Sequence, residues 1–227
     1  MKNRSSMQGI LSIVATPIGN LGDITLRALE TLKNADAIFC EDTRVISKLL
    51  AKYEIKKPLY RLDSIKELRR VDEIVERLQT GERLVFVTDA GTPGVSDPGG
   101  RLVKGVRDAL PNAKIEAIPG PSALTAALSI AGLDSPEFTF LGFLPHKKGR
   151  QTALKKIMES EIDVILYESP HRILKLLKEL GDRSLTIGRE LTKMHEEIVT
   201  GTATEVAQSL TTRDAVRGEF VVIVHPH

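Results

Sequence analysis

Short apolar runs alternate with stretches of helical spacing along nearly the whole chain. No other feature of the sequence constrains the fold as strongly. The runs span residues 10–15, 37–40, 84–87, 115–118, 138–141, 164–167, 185–187 and 220–224, and each reads as a buried strand. Between them lie Leu26, Leu29 and Leu32, then Leu68, Val71, Ile74, Val75 and Leu78, stopped by Gly81. Leu102, Val103, Val106 and Leu110 form a third set. Ile173, Leu174, Leu176, Leu177 and Leu180 form a fourth, with Gly181 just beyond. Spacings of three and four put each set on one helix face, and a glycine past the last turn is a common helix stop. The alternation predicts α/β architecture with largely parallel sheets.

Residues 118–122 interrupt this pattern with two prolines flanking a glycine, between a strand and an apolar helix. The sequence therefore predicts two α/β domains, 9–118 and 119–227, of about four strands each, closely apposed around a cleft. At roughly 150 residues per domain, 227 residues allow one large domain or two small ones.

The glycines are informative first by what they fail to spell. Nowhere are two of them separated by one residue, so the dinucleotide-binding pattern G-x-G-x-x-G is absent. G-K-[ST] and G-x-S-x-G are missing as well, which removes the phosphate-binding P-loop and the usual nucleophile elbow. His146, His171, His195, His225 and His227 are scattered, and H-E-x-x-H does not occur, so no metal site is expected. The glycines fall instead at strand ends, in residues 16–23 and in the thirteen-residue stretch 88–100. Loops of Gly, Pro and small polar residues at the C-terminal edge of a parallel sheet let a ligand approach the backbone. Tight turns would use the same residues. The stretch 88–100 is longer than a connection requires, which favours a binding loop there.

Charge narrows the partners. With 32 Lys+Arg against 30 Asp+Glu the net charge is +2, and aromatic residues make up 4% with no Trp. A polyanion would have to be met by a local basic patch, and single-strand recognition by aromatic stacking is not expected. Cys40 is alone, which excludes an intrachain disulfide, and no apolar run approaches the roughly 18 residues of a membrane helix. The short apolar stretch after the charged start does not resemble a secretory signal. A cytoplasmic protein is expected.

Charged residues directly after strands are the candidates for acid–base chemistry. They are Glu41, Asp42 and Arg44; Glu168, His171 and Arg172; and Arg189, Glu190 and Lys193. A carboxylate or histidine there would take a proton from a hydroxyl, and Arg or Lys would hold phosphates. Alternatively these groups pair among themselves, Asp42 with Arg44 and Glu190 with Lys193. Two basic runs stand out. Lys147, Lys148, Arg150, Lys155 and Lys156 form one, and Lys52, Lys56, Lys57, Arg61, Lys66, Arg69 and Arg70 the other. Such runs are usually solvated faces; the first adjoins a strand-end motif, which favours contact with a polyanion for it.

Seven motifs carry a resemblance. Val14-Ala-Thr-Pro-Ile-Gly-Asn-Leu-Gly-Asp-Ile-Thr-Leu-Arg-Ala28, Cys40-Glu-Asp-Thr-Arg44, Thr88-Asp-Ala-Gly-Thr-Pro-Gly-Val-Ser-Asp-Pro-Gly99 and Pro119-Gly-Pro-Ser122 come first. Gly142-Phe-Leu-Pro145, Tyr167-Glu-Ser-Pro-His-Arg172 and Gly188-Arg-Glu-Leu-Thr-Lys-Met-His-Glu-Glu197 follow in that order. From about Leu11 to Val224 the set resembles the branch of the tetrapyrrole methylase superfamily that methylates a cytidine 2′-hydroxyl in bacterial small-subunit ribosomal RNA.

The resemblance implies two α/β domains with an interdomain cofactor cleft holding S-adenosylmethionine. By motif it implies Pro17, Asp89, Gly91, Thr92, Pro93, Ser96, Ser122, Ala123, Leu144, Leu191 and Thr192 at the cofactor. Ser122 would serve equally as a helix cap. It leaves Glu168, Glu41 and Arg172 as catalytic candidates, and Lys147, Lys148, Arg150, Arg44 and Arg189 as RNA contacts. The expected partner is small-subunit RNA in the assembled subunit rather than naked RNA, with no membrane and room for a homodimer. Family members usually continue into a small helical segment where this sequence reaches His225-Pro-His227, which bears on RNA affinity or assembly and not on the cofactor cleft. Methylation of a tetrapyrrole, or cofactor binding without catalysis, are the alternatives. The motifs at 15–20 and 41–44 weigh against the first of these, since they look like the RNA-modifying branch.

Overall fold

A computed structural model describes residues 8–62 and 67–226. The leading residues 1–7, Lys66 and His227 lie outside the described residues, as do the side chains of Leu68 and Arg69. The chain divides into two compact units, Met1–Ser122 and Ala123–His227.

In the first unit, β1 (Ile10–Val14), β2 (Ala37–Cys40), β3 (Leu59–Arg61), β4 (Arg83–Val87) and β5 (Lys114–Ile118) form one sheet in the order β3-β2-β4-β1-β5, every pair parallel. The connecting helices are α1 (Leu26–Asn34), α2 (Thr43–Lys52), α3 (Glu67–Gln79) and α4 (Gly99–Ala109). Strand side chains alternate between faces. Ile38, Cys40, Val85 and Val87 pack with Ala28 and Leu32 of α1 and with Ile46, Leu49 and Leu50 of α2. Ala37, Phe39, Leu84 and Phe86 pack with Val71, Ile74 and Leu78 of α3 and with Leu102 and Val106 of α4. Leu26 departs from the expected inner stripe: it is 86% exposed, because it opens the helix behind the Thr25 cap. β1 leads through α1 to one side of the sheet and β4 through α4 to the other. The strand order therefore reverses between β1 and β4, the place where open α/β sheets bind ligands.

The second unit holds α5 (Ala123–Ala131), β6 (Phe138–Phe143), α6 (Arg150–Met158), β7 (Asp163–Glu168), α7 (Ile173–Leu180), β8 (Ser184–Arg189), β9 (Glu197–Thr202), α8 (Ala203–Thr212) and β10 (Phe220–Val224). Its sheet runs β6-β7-β10-β8-β9. Only β6–β7 is parallel; the other three pairings are antiparallel. The expectation of largely parallel sheets thus holds for the first unit and is corrected for the second. One face is covered by α6, α7 and α8, whose Leu154, Ile157, Leu176, Leu177, Val206 and Leu210 meet Val164, Leu166, Ile187 and Val222. The other packs against α5. β6, β7 and β8 still point the same way, so the loops that follow them leave from a single edge. Each sheet has five strands where about four were expected. The additional strands are β3 and β9, one edge of each sheet, and they lack the buried apolar run that marks an inner strand.

Candidate functional site

In the first unit the C-terminal edge of the sheet is laced together by short polar contacts. Thr16, just past β1, and Gly91, just past β4, form an isolated antiparallel bridge, with N–H···O distances of 2.9 and 3.1 Å. The Thr16 hydroxyl also donates to the Thr88 carbonyl at 3.2 Å. Glu41 Oε1, at the end of β2, accepts from the Thr88 hydroxyl and from the Asp89 N–H at 3.3 Å. Asp89 Oδ1 in turn accepts the Asp42 N–H at 3.0 Å. Three neighbouring strand ends, those of β1, β4 and β2, are thereby fixed against one another.

The long loop after β4 is organised by a residue that sequence reading did not single out. Asp97 accepts hydrogen bonds from the N–H groups of Gly94 at 2.8 Å, Val95 at 3.0 Å and Gly99 at 2.7 Å. The Asp-Pro-Gly pattern at 97–99 was the available signal, since Asp bonds its own turn and Pro starts one. Around it Gly91 and Gly94 have φ of +85° and +91°, and Ser96 has +75°. Ser96 is a non-glycine residue in the left-handed region, held there by the loop, and such strain concentrates at functional sites. The Thr92 hydroxyl donates to the Pro121 carbonyl at 3.0 Å. A Cβ added to Gly91 would sit 3.3 Å from Ile18 and 3.7 Å from the Pro121 carbonyl oxygen. Pro17 and Pro93 are buried, and Asp89 and Ser96 are exposed.

In the second unit, β6 carries a register shift against β7 between Phe140 and Gly142, where Gly142 adopts a φ of +63°. A bulge of this kind re-aims the residues that follow, here Phe143 and Leu144. Phe143 is 52% exposed and lies edge-on to Tyr167, and the Tyr167 hydroxyl accepts the Leu124 N–H at the start of α5. Glu168 ends β7 fully buried. Its Oε1 lies 2.7 Å from Arg172 Nε and accepts the Ser169 N–H at 2.8 Å. Arg172 also donates to the Leu144 carbonyl at 2.9 Å. Beyond β8, Glu190 and Thr192 have φ of +51° and +66°, and Leu191 is buried between them.

Charge at these edges is largely paired. Hydrogen bonds from the Arg44 side chain and then from its N–H hold the Asp42 carboxyl down at about 2. Burial, followed by the Asp89, Asp42 and Glu41 carboxylates, pushes the Cys40 thiol up to about 12. Burial raises the Glu190 carboxyl, but Lys193, 2.8 Å away, and the Glu219 N–H bring it below its ordinary value. Glu197 is likewise raised by burial and lowered on balance by Arg213 and Arg189. The two alternative pairings, Asp42 with Arg44 and Glu190 with Lys193, are both present.

Two expected RNA contacts have partners within the protein. Arg150 is 3% exposed, with Nε 3.0 Å from Glu179 and Nη1 donating to the Pro145 carbonyl, which leaves no free donor face for a phosphate. Arg189 is bonded to Glu197 at 2.9 Å and to the Arg217 carbonyl at 2.8 Å. Lys147, Lys148 and His195 are exposed. In the second basic run, the Arg70 guanidinium lies over the Tyr60 ring and pairs with Glu73; Arg77, outside that run, also lies over Tyr60 and pairs with Glu82. Among the described residues no group of three His, Cys, Asp or Glu side chains is placed to hold a metal ion, and no helix is long and apolar enough to cross a membrane.

Comparison with known proteins matches residues 11–207 to the family model for Tetrapyrrole (Corrin/Porphyrin) Methylases. The chain is 44% identical over 222 residues to the ribosomal RNA small subunit methyltransferase I of Synechocystis sp., covering 95% of this chain and 78% of that protein. It is 41% identical over 221 residues to the protein of the same name from Thermotoga maritima, covering 95% and 98%. Among solved structures it is similar to a diphthine synthase, with a TM-score of 0.75 at 15% identity, over 96% of this chain and 90% of that one.

Proposed function

The chain belongs to the tetrapyrrole methylase family, and from that premise we propose that it transfers a methyl group from S-adenosylmethionine to the 2′-hydroxyl of a cytidine in small-subunit ribosomal RNA. The shared name of its relatives supports the substrate class. The observation that carries the donor side is the Thr16–Gly91 bridge at the point where strand order reverses.

The residues at that edge suit the methyl donor. Gly91 leaves open a space that any side chain would fill against Ile18 and Pro121. The Glu41 and Asp89 carboxylates meet at this edge through the Thr88 hydroxyl and the Asp89 and Asp42 N–H groups, and they favour a cationic ligand. Bound there, the donor supplies a methyl group on a sulfonium that is already a good leaving group. Pro17, Asp89, Gly91, Thr92, Pro93 and Ser96 would hold it, and the resemblance adds Ser122, Ala123, Leu144, Leu191 and Thr192.

What remains for the protein is to orient the acceptor and remove its proton. We assign proton removal to Glu41, which is half-buried at the end of β2 and fixed through Oε1. Asp42, held at about 2, is too weak a base. Glu168 and Arg172 are positioning residues in this reading, because their pair ties the end of β7 to the Leu144 carbonyl.

The test is transfer of labelled methyl groups to assembled small subunits from cells lacking this enzyme, followed by mapping of the modified nucleotide. Label on a cytidine ribose is expected, with assembled subunits preferred over naked RNA. Label on a tetrapyrrole offered in parallel and none on RNA would replace this reading with the other branch of the family. Donor binding with no transfer to either would leave a cofactor-binding module.

A further inference from the structure

We propose that the exposed face of α2 is a track for the phosphate backbone of the substrate RNA. This rests on the reading above that the substrate is ribosomal RNA. α2 starts directly after Glu41 and Asp42, at the edge assigned to the chemistry. Its ten residues carry three cations, Arg44, Lys48 and Lys52, and no carboxylate. They recur every fourth residue, and Lys56 continues the interval into the following loop. All four are exposed, while Ile46, Leu49 and Leu50 face the core. Four residues of helix rise about 6 Å, so the cations within α2 stand in one row leading away from the site.

Elsewhere in this protein three exposed helix lysines have a carboxylate four residues away, Lys104 with Asp108, Lys155 with Glu159, and Lys175 with Glu179, while Lys33 and Lys156 have none but do not stand in a row at that interval. Lys48, Lys52 and Lys56 have no such partner among the described residues. Of the nearby acids, Asp42 is engaged by Arg44, and Glu54 is exposed in the loop after the helix. Like charges four apart destabilise a helix, so the row is maintained against local stability. The macrodipole favours only its last member, Lys52. A polyanion that follows the row compensates Lys48, Lys52 and Lys56, which Asp42 does not reach. Of the second basic run, the structure thus separates Lys52 and Lys56, which are unpaired among the described residues, from Arg70, which stacks on Tyr60 and pairs with Glu73.

The experiment is co-sedimentation of the full chain with bacterial small ribosomal subunits between about 50 and 200 mM KCl. It compares the wild type with the triple variant Lys48→Gln, Lys52→Gln, Lys56→Gln and with the corresponding triple Arg variant. Each lost phosphate contact lowers the slope of log affinity against log salt by roughly 0.7 to 0.9, so the Gln variant should lose about 2 to 3 from the slope and the Arg variant little. An unchanged slope in the Gln variant overturns the track, whether or not methyl transfer occurs. So does failure of the wild type to bind subunits. Methyl transfer is read separately in the same mixtures. A reduced slope with no transfer by the wild type would uphold the track and sink the proposed reaction.

Discussion

Arg172 Nε lies 2.7 Å from Glu168 Oε1, while Glu168 Oε2 is buried with no hydrogen-bond partner among the described residues. The pair closes the gap between the end of β7 and the Leu144 carbonyl, so it acts first as a structural joint. Removing one member leaves the other charged and buried, and Arg172→Met should destabilise the protein by about 3–5 kcal/mol. Glu168→Gln in that background should cost less than it does alone. Urea denaturation of the four proteins checks this, and additive losses would show that the two groups are not coupled in solution.

Asp97 holds three backbone N–H groups of the loop after β4. Asp97→Ala should cost about 1–2 kcal/mol, comparable to the loss of a helix cap. Its effect on binding should exceed its effect on folding, because the freed groups lie in the loop proposed to hold the donor. Calorimetric titration with S-adenosylmethionine is expected to show affinity at least ten-fold weaker. Unchanged affinity would place the donor elsewhere.

At Gly91 two costs combine. A φ of +85° makes any side chain strained by about 1–2 kcal/mol, and a Cβ also meets Ile18 at 3.3 Å. Gly91→Ala should lower stability and weaken the donor, and Gly91→Leu should abolish donor binding. Wild-type donor affinity in the Leu variant would refute the assignment of this loop.

Acid unfolding should follow the depressed carboxyls. Asp42, Glu190, Glu197 and Glu205 all lie below their ordinary values. A depressed folded value means the stabilisation is complete above the unfolded value, about 4, and is lost as pH falls through the folded values, to about 2 for Asp42. Lys193 is raised, so its contribution is complete below its unfolded value and fades as pH rises through the folded one. Thermal melting as a function of pH should therefore be flat near neutrality and fall below about pH 4. A fall that begins at pH 6 would point to histidine instead.

The Cys40 thiol should be inert. Buried and pushed up to about 12, it carries almost no thiolate at pH 8. A disulfide-exchange reagent should titrate one thiol only after unfolding, and rapid reaction of the native protein would contradict the packing of β2.

The inner strands were legible in the sequence because their residues are buried on both faces and leave continuous apolar runs, as at 37–40 and 220–224. The loops at 16–23 and 88–100 were legible because glycine and proline at strand ends have few other uses. The sequence also determined which residues stand at strand ends, Glu41 and Glu168 among them. It did not determine their partners. Whether Arg150 faces solvent or Glu179, and whether Lys48 finds a carboxylate, depends on side chains 29 residues away or on their absence. The direction of β10 was equally out of reach, since an apolar run reads the same in either direction. Local pattern reports burial, which is a property of each segment. Pairing, sheet direction and the free or occupied state of a charge are properties of two segments at once, so only the tertiary structure decides them.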